Sequence, residues 1–394
     1  MDSSSFLREK CGVTEDEAER RATPRRSWLA LAIGLAVLAT LLTLLVLSVD
    51  GLLGPAPPLA PRASPVLRLV HAPADRPGGV EVWDVAFSPD GALLASAGTD
   101  GRVRLWDAAS GALQDEIPHP AAVTAIVFAP GGAALLTGCE DGLVRRFRLE
   151  DRAEVAAMRG HEGPVRSLAV SPGGGSIASG GADGTVRIWR AADGSLGATL
   201  RGHSRSVDAV AFSPDGALLA SGGADRTVKL FRLRDASVVR TLDRHGQAAA
   251  SLAFTPDGAF LLAGGDDGLV HRFRVASGEE PSPPPAFGRD VCAVAVSPDG
   301  SRMAVGGRVR TRVHRMLARL AGRWLTEAAP AAALWSMDGS RLLVSLPGHT
   351  DDVHAVAFSP DGRRIATGGA DGRVLVFDAS PVGPEQAHPE HPDH

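Results

Sequence analysis

Cysteine is nearly missing from this chain: Cys11, Cys139 and Cys292 are all there is in 394 residues. Three widely spaced thiols make no disulfide framework, and an oxidising compartment is allowed without being demanded. Lysine is scarcer still, Lys10 and Lys229 against 39 arginines. With abundant alanine and glycine, that bias suggests a GC-rich, bacterial genome. The common enzyme signatures are absent too. There is no G-x-S-x-G elbow, no phosphate loop ending in Gly-Lys-Ser/Thr, no H-E-x-x-H and no kinase set. Glycine pairs such as Gly180-Gly181 open no helix, which removes the dinucleotide fingerprint. A net charge of −4 argues against a general nucleic-acid binder.

What the chain has is repetition, and an internal period decides fold before any local reading. The turn S-P-D-G, or a relaxed form, begins at Ser88, Ala129, Ser171, Ser213, Thr255, Ser297 and Ser359. The steps are 41, 42, 42, 42, 42 and 62, so seven copies exist and the last interval carries an insertion. Within the fourth copy, "VDAVAF", "ALLASGG", "TVKLFRL" and "SVVRTL" are β-branched or apolar runs separated by "SPDG" and "GADR". Those separators are turn chemistry: Pro fixes φ, Asp bonds its own backbone, and Gly takes positive φ. Four strands in about 42 residues is one blade of a β-propeller. The expected fold is all-β, a seven-bladed propeller of four-stranded blades.

The repeats resemble the WD-repeat family. Gly-His precedes the first strand at His161, His203 and His349, and a turn Asp stands six residues before Trp or Phe. The pairs are Asp100 with Trp106, Asp141 with Phe147, Asp183 with Trp189, Asp225 with Phe231, Asp267 with Phe273, and Asp371 with Phe377. The resemblance covers residues 66–380. It implies a buried structural tetrad of His161, Ser179, Asp183 and Trp189, matched in part by His203, Ser221 and Asp225 and by His349, Thr367 and Asp371. Such a set is a hydrogen-bonded strut and no catalytic triad, because geometry and not residue type defines a triad. By this reading Trp189 closes the one complete set. Phe231 cannot donate, Ala263 replaces the serine of the fifth repeat, and the sixth has Phe287 and Val305 for His and Ser. The seventh repeat ends after its third strand, while "PVLRLVH" before the first resembles a fourth strand; the N-terminal segment is expected to complete the last blade and close the ring.

Residues 28–49, "WLALAIGLAVLATLLTLLVLSV", are 22 without a charge, long enough at about 1.5 Å per residue to span a bilayer. Arg20, Arg21, Arg25 and Arg26 precede them, and only Asp50 and Arg62 are charged in the following stretch. The positive-inside rule then gives a single-pass membrane protein with residues 1–27 as a cytoplasmic tail and the propeller extracytoplasmic, periplasmic in a Gram-negative cell. The alternative, a cleaved signal peptide, requires a shorter apolar core and a small-residue site. Residues 50–65 read as a Pro-rich spacer, and 381–394 as a disordered tail whose His388, His391 and His394 are broken up by prolines. No metal and no cofactor is expected.

Two features look functional without being catalytic. Aligning the first strands puts Trp83, Thr124, Arg166, Asp208, Ala250, Cys292 and His354 at one position near the channel mouth, where the family resemblance implies partner binding. Trp83, Thr124, Arg166, Asp208 and His354 are the candidate contacts, aromatic and Arg side chains being usual anchors. The second is the insertion 308–330 in the sixth blade, where Arg308, Arg312, Arg315, Arg319 and Arg323 form one helical stripe and an apolar stripe ends at Trp324. A basic amphipathic helix fits an anionic surface, although "RVRTRV" also alternates as a strand does. The reading is a membrane-anchored protein-interaction scaffold with an unidentified protein partner. The rivals are a small-ligand binder or enzyme using the central channel, and a cytoplasmic propeller meeting anionic partners through the insertion.

Overall fold

A computed structural model describes residues 62–71, 79–242, 246, 248–281, 287, 290–308 and 331–380. Residues 28–49, most of the insertion and the C-terminal tail lie outside them. Among the described residues no helix is long and apolar enough to cross a membrane.

The chain forms a seven-bladed β-propeller. Five blades are four-stranded antiparallel sheets in chain order, the seventh has four strands of which the outer one comes from before the first blade, and the fifth has three strands among the described residues. The inner strands are Val82–Phe87, Val123–Phe128, Val165–Val170, Val207–Phe212, Ala249–Phe254, Val291–Val296 and Val353–Phe358. Outer strands begin nine to eleven residues after third strands begin, as in Val186–Arg190 and Leu196–Leu200. In the fifth blade the stretch where that strand is expected lies mostly outside the described residues.

The strand Pro65–Val70 pairs antiparallel with Arg373–Asp378, as the outer strand of the seventh blade's sheet. Just before it, Ala63 N–H donates to Ser345 O at 3.0 Å, so ordered contact begins within the stretch read as spacer. Antiparallel order places the S-P-D-G turns on one face of the disc, the turn face, and the Asp-bearing turns on the other, the mouth face. Because Val70 pairs with Arg373, next to the Asp371 turn, and Pro65 with Phe377, the chain enters from the turn face.

Each inner strand carries a β-bulge at its second residue: the pairing runs from Val82↔Gly98 to Asp84↔Ala97, skipping Trp83. The same shift occurs in the other six blades, so the bulged residues are Trp83, Thr124, Arg166, Asp208, Ala250, Cys292 and His354. A bulge re-aims its extra side chain, which explains why these seven positions differ so much in a repeat that is otherwise nearly uniform.

Neighbouring blades pack through apolar clusters. Val186, Val207, Leu219 and Phe231, for example, join the third and fourth. Close approach matters most at Gly180 and Gly368, where a Cβ would lie 2.8 Å from Val207 Cγ1 and 2.7 Å from Val82 Cγ1 of the next blade. On the turn face, arginines cross the seams to the carbonyl two residues past the next blade's aromatic. Arg146 reaches Ala191 O, Arg272 Met337 O, Arg302 Ala379 O and Arg364 Ala108 O.

A charged donor lost from a buried carbonyl costs about 1.5–3 kcal/mol. Arg364→Met keeps the stem and removes the bond between the seventh and first blades, and urea unfolding should show a loss of that size. Arg363→Met, at an exposed neighbour, should stay within about 0.5 kcal/mol. Equal losses would show that the clamp contributes nothing.

Candidate functional site

The polar sets beneath the mouth face decide first whether anything here is chemical. In the third blade Trp189 Nε1 donates to Ser179 Oγ at 2.8 Å, Ser179 Oγ lies 2.7 Å from His161 Nε2, and His161 Nδ1 is 3.0 Å from Asp183. The donor inventory gives one consistent orientation: Trp189 N–H to Ser179, the Ser179 hydroxyl to His161 Nε2, and Nδ1–H to the carboxylate. Gly181 makes room for the ring, since a Cβ there would be 2.3 Å from His161 Nδ1. Burial pushes the His161 pKa down. Burial also works to raise Asp183, but the N–H of Glu162, the hydroxyl and N–H of Thr185 and the imidazole outweigh it and bring its pKa to about 2. Ser179 is completely buried and its oxygen is already occupied. No substrate reaches it, and the set is a strut.

The fourth and seventh blades repeat the arrangement with a phenylalanine in place of the Trp donor. His203 joins Asp225 at 3.0 Å and Ser221 at 2.7 Å, and His349 joins Asp371 at 2.9 Å and Thr367 at 2.8 Å. One expectation is corrected. Trp189 does not close the one complete set, because His71, Ser96, Asp100 and Trp106 form another, with His71 Nδ1 2.8 Å from Ser96 Oγ and Trp106 Nε1 donating to the same oxygen at 2.8 Å. His71 was overlooked because it stands 25 residues before its serine instead of 18. His119 was missed as well: it follows Pro118, not Gly, yet keeps the 18-residue offset to Thr137, 3.0 Å away. Spacing alone was the usable signal.

Departures have been rebuilt locally. In the fifth blade, His271 on the third strand lies between Asp267 at 3.2 Å and Glu280 at 3.1 Å. Burial lowers its pKa, but the two acids prevail and raise it. His245 lies outside the described residues. The sixth blade keeps Trp335, whose Nε1 is buried without a partner among the described residues because Val305 stands in the serine's place; Phe287 packs edge-on against the indole, centroids 4.9 Å apart.

At the mouth itself, two of the bulged residues meet across a seam. Trp83 Nε1 donates to Glu81 Oε2 at 3.0 Å, and His354 Nε2 of the seventh blade lies 3.5 Å from the same oxygen, too far and too poorly aligned for a hydrogen bond. Thr124 is committed elsewhere: its hydroxyl lies 2.9 Å from Gly138 O and 2.5 Å from Val165 O, tying the second blade to the third. Arg166 is exposed, and Asp208 has its pKa raised by burial, against Ser206 and the Arg166 charge. Arg308 lies 4.0 Å from Asp266, and the insertion leaves and returns at one point, Gly307 N–H donating to Ala331 O at 2.9 Å. Arg312, Arg315, Arg319, Arg323 and Trp324 lie outside the described residues. A groove on the turn face at the seventh–first seam is lined by Asp90, Asp107, Asp361 and Arg364. Its carboxylates are spent on the hydroxyls and N–H groups of their own turns. Among the described residues no group of three or more His, Cys, Asp or Glu is arranged to hold a metal.

The family profile "WD domain, G-beta repeat" matches residues 74–107, 113–147, 152–190, 194–232, 236–273 and 340–378, more than half of the chain. The sixth blade is the one left unmatched, in line with its lost His, Ser and Asp. A stretch of 78 residues is 40% identical to "Actin-interacting protein 1" of Drosophila melanogaster, covering 19% of this chain and 13% of that protein. Another of 100 residues is 35% identical to "WD repeat-containing protein VIP3" of Arabidopsis thaliana, covering 22% and 31%. A third, of 84 residues, is 34% identical to "Telomerase protein component 1" of Rattus norvegicus, covering 21% and 3%. The chain spans less than a third of each of these relatives, so the likeness concerns the repeat.

The donor geometry ranks three tryptophans. Trp189→Phe and Trp106→Phe each strand a buried hydroxyl and should cost about 1–3 kcal/mol, whereas Trp335→Phe removes an N–H without a partner and should cost less. Melting curves of the three variants check the order, and an equal loss at Trp335 would sink it. The Asp183 contribution is present above the ordinary carboxylate pKa of about 3.9 and should disappear as pH falls through about 2.

Proposed function

Because the chain belongs to the WD-repeat family, we propose that it is a protein-interaction scaffold with its docking site at the channel mouth around Trp83, Glu81 and His354. WD-repeat propellers typically serve as platforms for protein partners, and the single observation that carries the siting is the convergence of Trp83 and His354, from adjacent blades, on Glu81. A partly exposed indole whose N–H is held by Glu81 offers a partner apolar area in a fixed orientation. Catalysis is not part of this reading, since the Ser-His-Asp sets are enclosed.

The scaffold is further proposed to be anchored by residues 28–49, with the propeller on the extracytoplasmic side. Support comes from the uncharged run and from the arginines on its N-terminal flank alone.

Two experiments test the reading. Protease added to cells with a permeabilised outer envelope should degrade the propeller, and protection until the inner membrane is broken would overturn the topology. For the site, affinity capture from detergent-solubilised membranes with the parent should recover a partner that Trp83→Ala loses and Arg363→Ala, on the turn face, retains. Recovery by all three would remove the mouth as the docking site.

A further inference from the structure

The residue after each bulge is small in six blades: Ala125, Ser167, Ala209, Ser251, Ala293 and Ala355. The two serines share a task. Ser167 Oγ accepts Val210 N–H at 3.1 Å and Ser251 Oγ accepts Val294 N–H at 3.0 Å, each reaching the inner strand of the next blade. In the first blade the equivalent residue is Asp84. Its Oδ2 accepts Ile126 N–H of the second blade at 2.8 Å, and its Oδ1 accepts Val85 N–H at 2.8 Å. A carboxyl group therefore stands where a hydroxyl serves elsewhere.

We infer that Asp84 is a proton-sensitive tie between the first and second blades, its carboxyl group tightening or loosening that seam as it loses or gains a proton.

Among the described residues the surroundings supply no counter-charge. Against the strand Val82–Phe87 pack Leu93–Gly98 and Val123–Phe128, which carry no ionisable side chain, and three strands of the seventh blade. Those three bring His354, Arg364, Arg373 and Asp378, while Glu81 and His71 stand nearby on its own blade. None of them acts on the carboxyl. The residue keeps some accessible surface, yet both carboxyl oxygens accept N–H groups of inner strands, and burial raises its pKa to about 7 against the lowering effect of those two bonds.

The sign follows. The folded chain holds a proton that the unfolded chain has released, so the contribution is complete below the ordinary value of 3.8 and is lost as pH rises through about 7. The buried histidines work the other way: His71, His119, His161 and His354 have lowered pKa values through burial and favour the folded state as pH rises. A bare pH–stability curve mixes the two, and only a comparison of variants isolates Asp84.

The test uses the purified full chain, with the Ile126 amide as a local probe. In the parent its nitrogen chemical shift should titrate with a midpoint between pH 6 and 8, and in Asp84→Asn, which keeps an acceptor but not the proton, it should stay flat. Between pH 5.5 and 8 the melting temperature of the parent should fall by a few degrees relative to Asp84→Ser, the residue used by the third and fifth blades. A parent amide that is flat over this range, or that titrates below pH 5, overturns the inference, as does one that moves equally in Asp84→Asn. Should neither variant fold, the midpoint in the parent still decides.

Discussion

The ring depends on one steric constraint: where the second strand of a blade meets the inner strand of the next, there is room for nothing larger than a methyl group. Gly138, Gly180, Gly222, Gly264, Gly306 and Gly368 occupy that point in six blades, and a Cβ at Gly264 would sit 2.4 Å from Val291 Cγ1. The first blade has Ala97 there, fully buried in a cluster with Val123. Because the approach is set by backbone and one valine, blades of different surface composition stack at the same spacing. The period of 42 residues is the visible result. The bulge next to the contact is tolerated for the same reason, since the second strand offers nothing for the extra residue to strike.

With the spacing fixed by packing, the polar sets need only be satisfied, and they vary. Two blades have the whole His-Ser-Asp-Trp strut, two replace the Trp by Phe, the second keeps His119 against Thr137 while Asp141 pairs with Arg145, the fifth sets His271 between Asp267 and Glu280, and the sixth has an aromatic pair. Losing the whole group together is cheaper than losing one member, because a stranded buried donor costs its desolvation. The sixth blade departs from this rule at Trp335 alone, and it is also the blade that carries the insertion.

The period and the seven blades could be read from turn spacing, because S-P-D-G marks a fixed point of every repeat, and the strand at residues 65–70 from its likeness to the fourth-strand runs. Position within the blade was legible too, down to the residue where Trp83 and His354 stand. Legibility ended where a function is carried by distance and not by residue type. His71 and His119 were hidden by a longer loop and by a proline, and Thr124 looked like a contact until its hydroxyl was found across the seam. Nothing local announced Asp84, which looks like any surface aspartate until Ile126 N–H is seen 42 residues away in sequence and 2.8 Å away in space.

The seams themselves show how an odd ring is held. Inner ties sit on alternate blades, at Asp84, Ser167 and Ser251, and join the first to the second, third to fourth and fifth to sixth. Seven cannot alternate all the way round, so the sixth and seventh blades, with Ala293 and Ala355, have none. Those are the two seams that Arg302 and Arg364 clamp from the turn face. The second seam has Thr124 and Arg146, and the fourth has Arg240, which reaches Ala276 O at 2.9 Å. Every interface thus keeps at least one side-chain bond to a backbone group of its neighbour. At the first seam that bond is made by a carboxylate, accompanied further out by the Arg152–Asp115 pair at 2.9 Å, which is partly exposed and so contributes little. A ring whose other ties are hydroxyls and guanidinium groups keeps them at any pH near neutrality, so Asp84 is where a change of one proton alters the connection between blades.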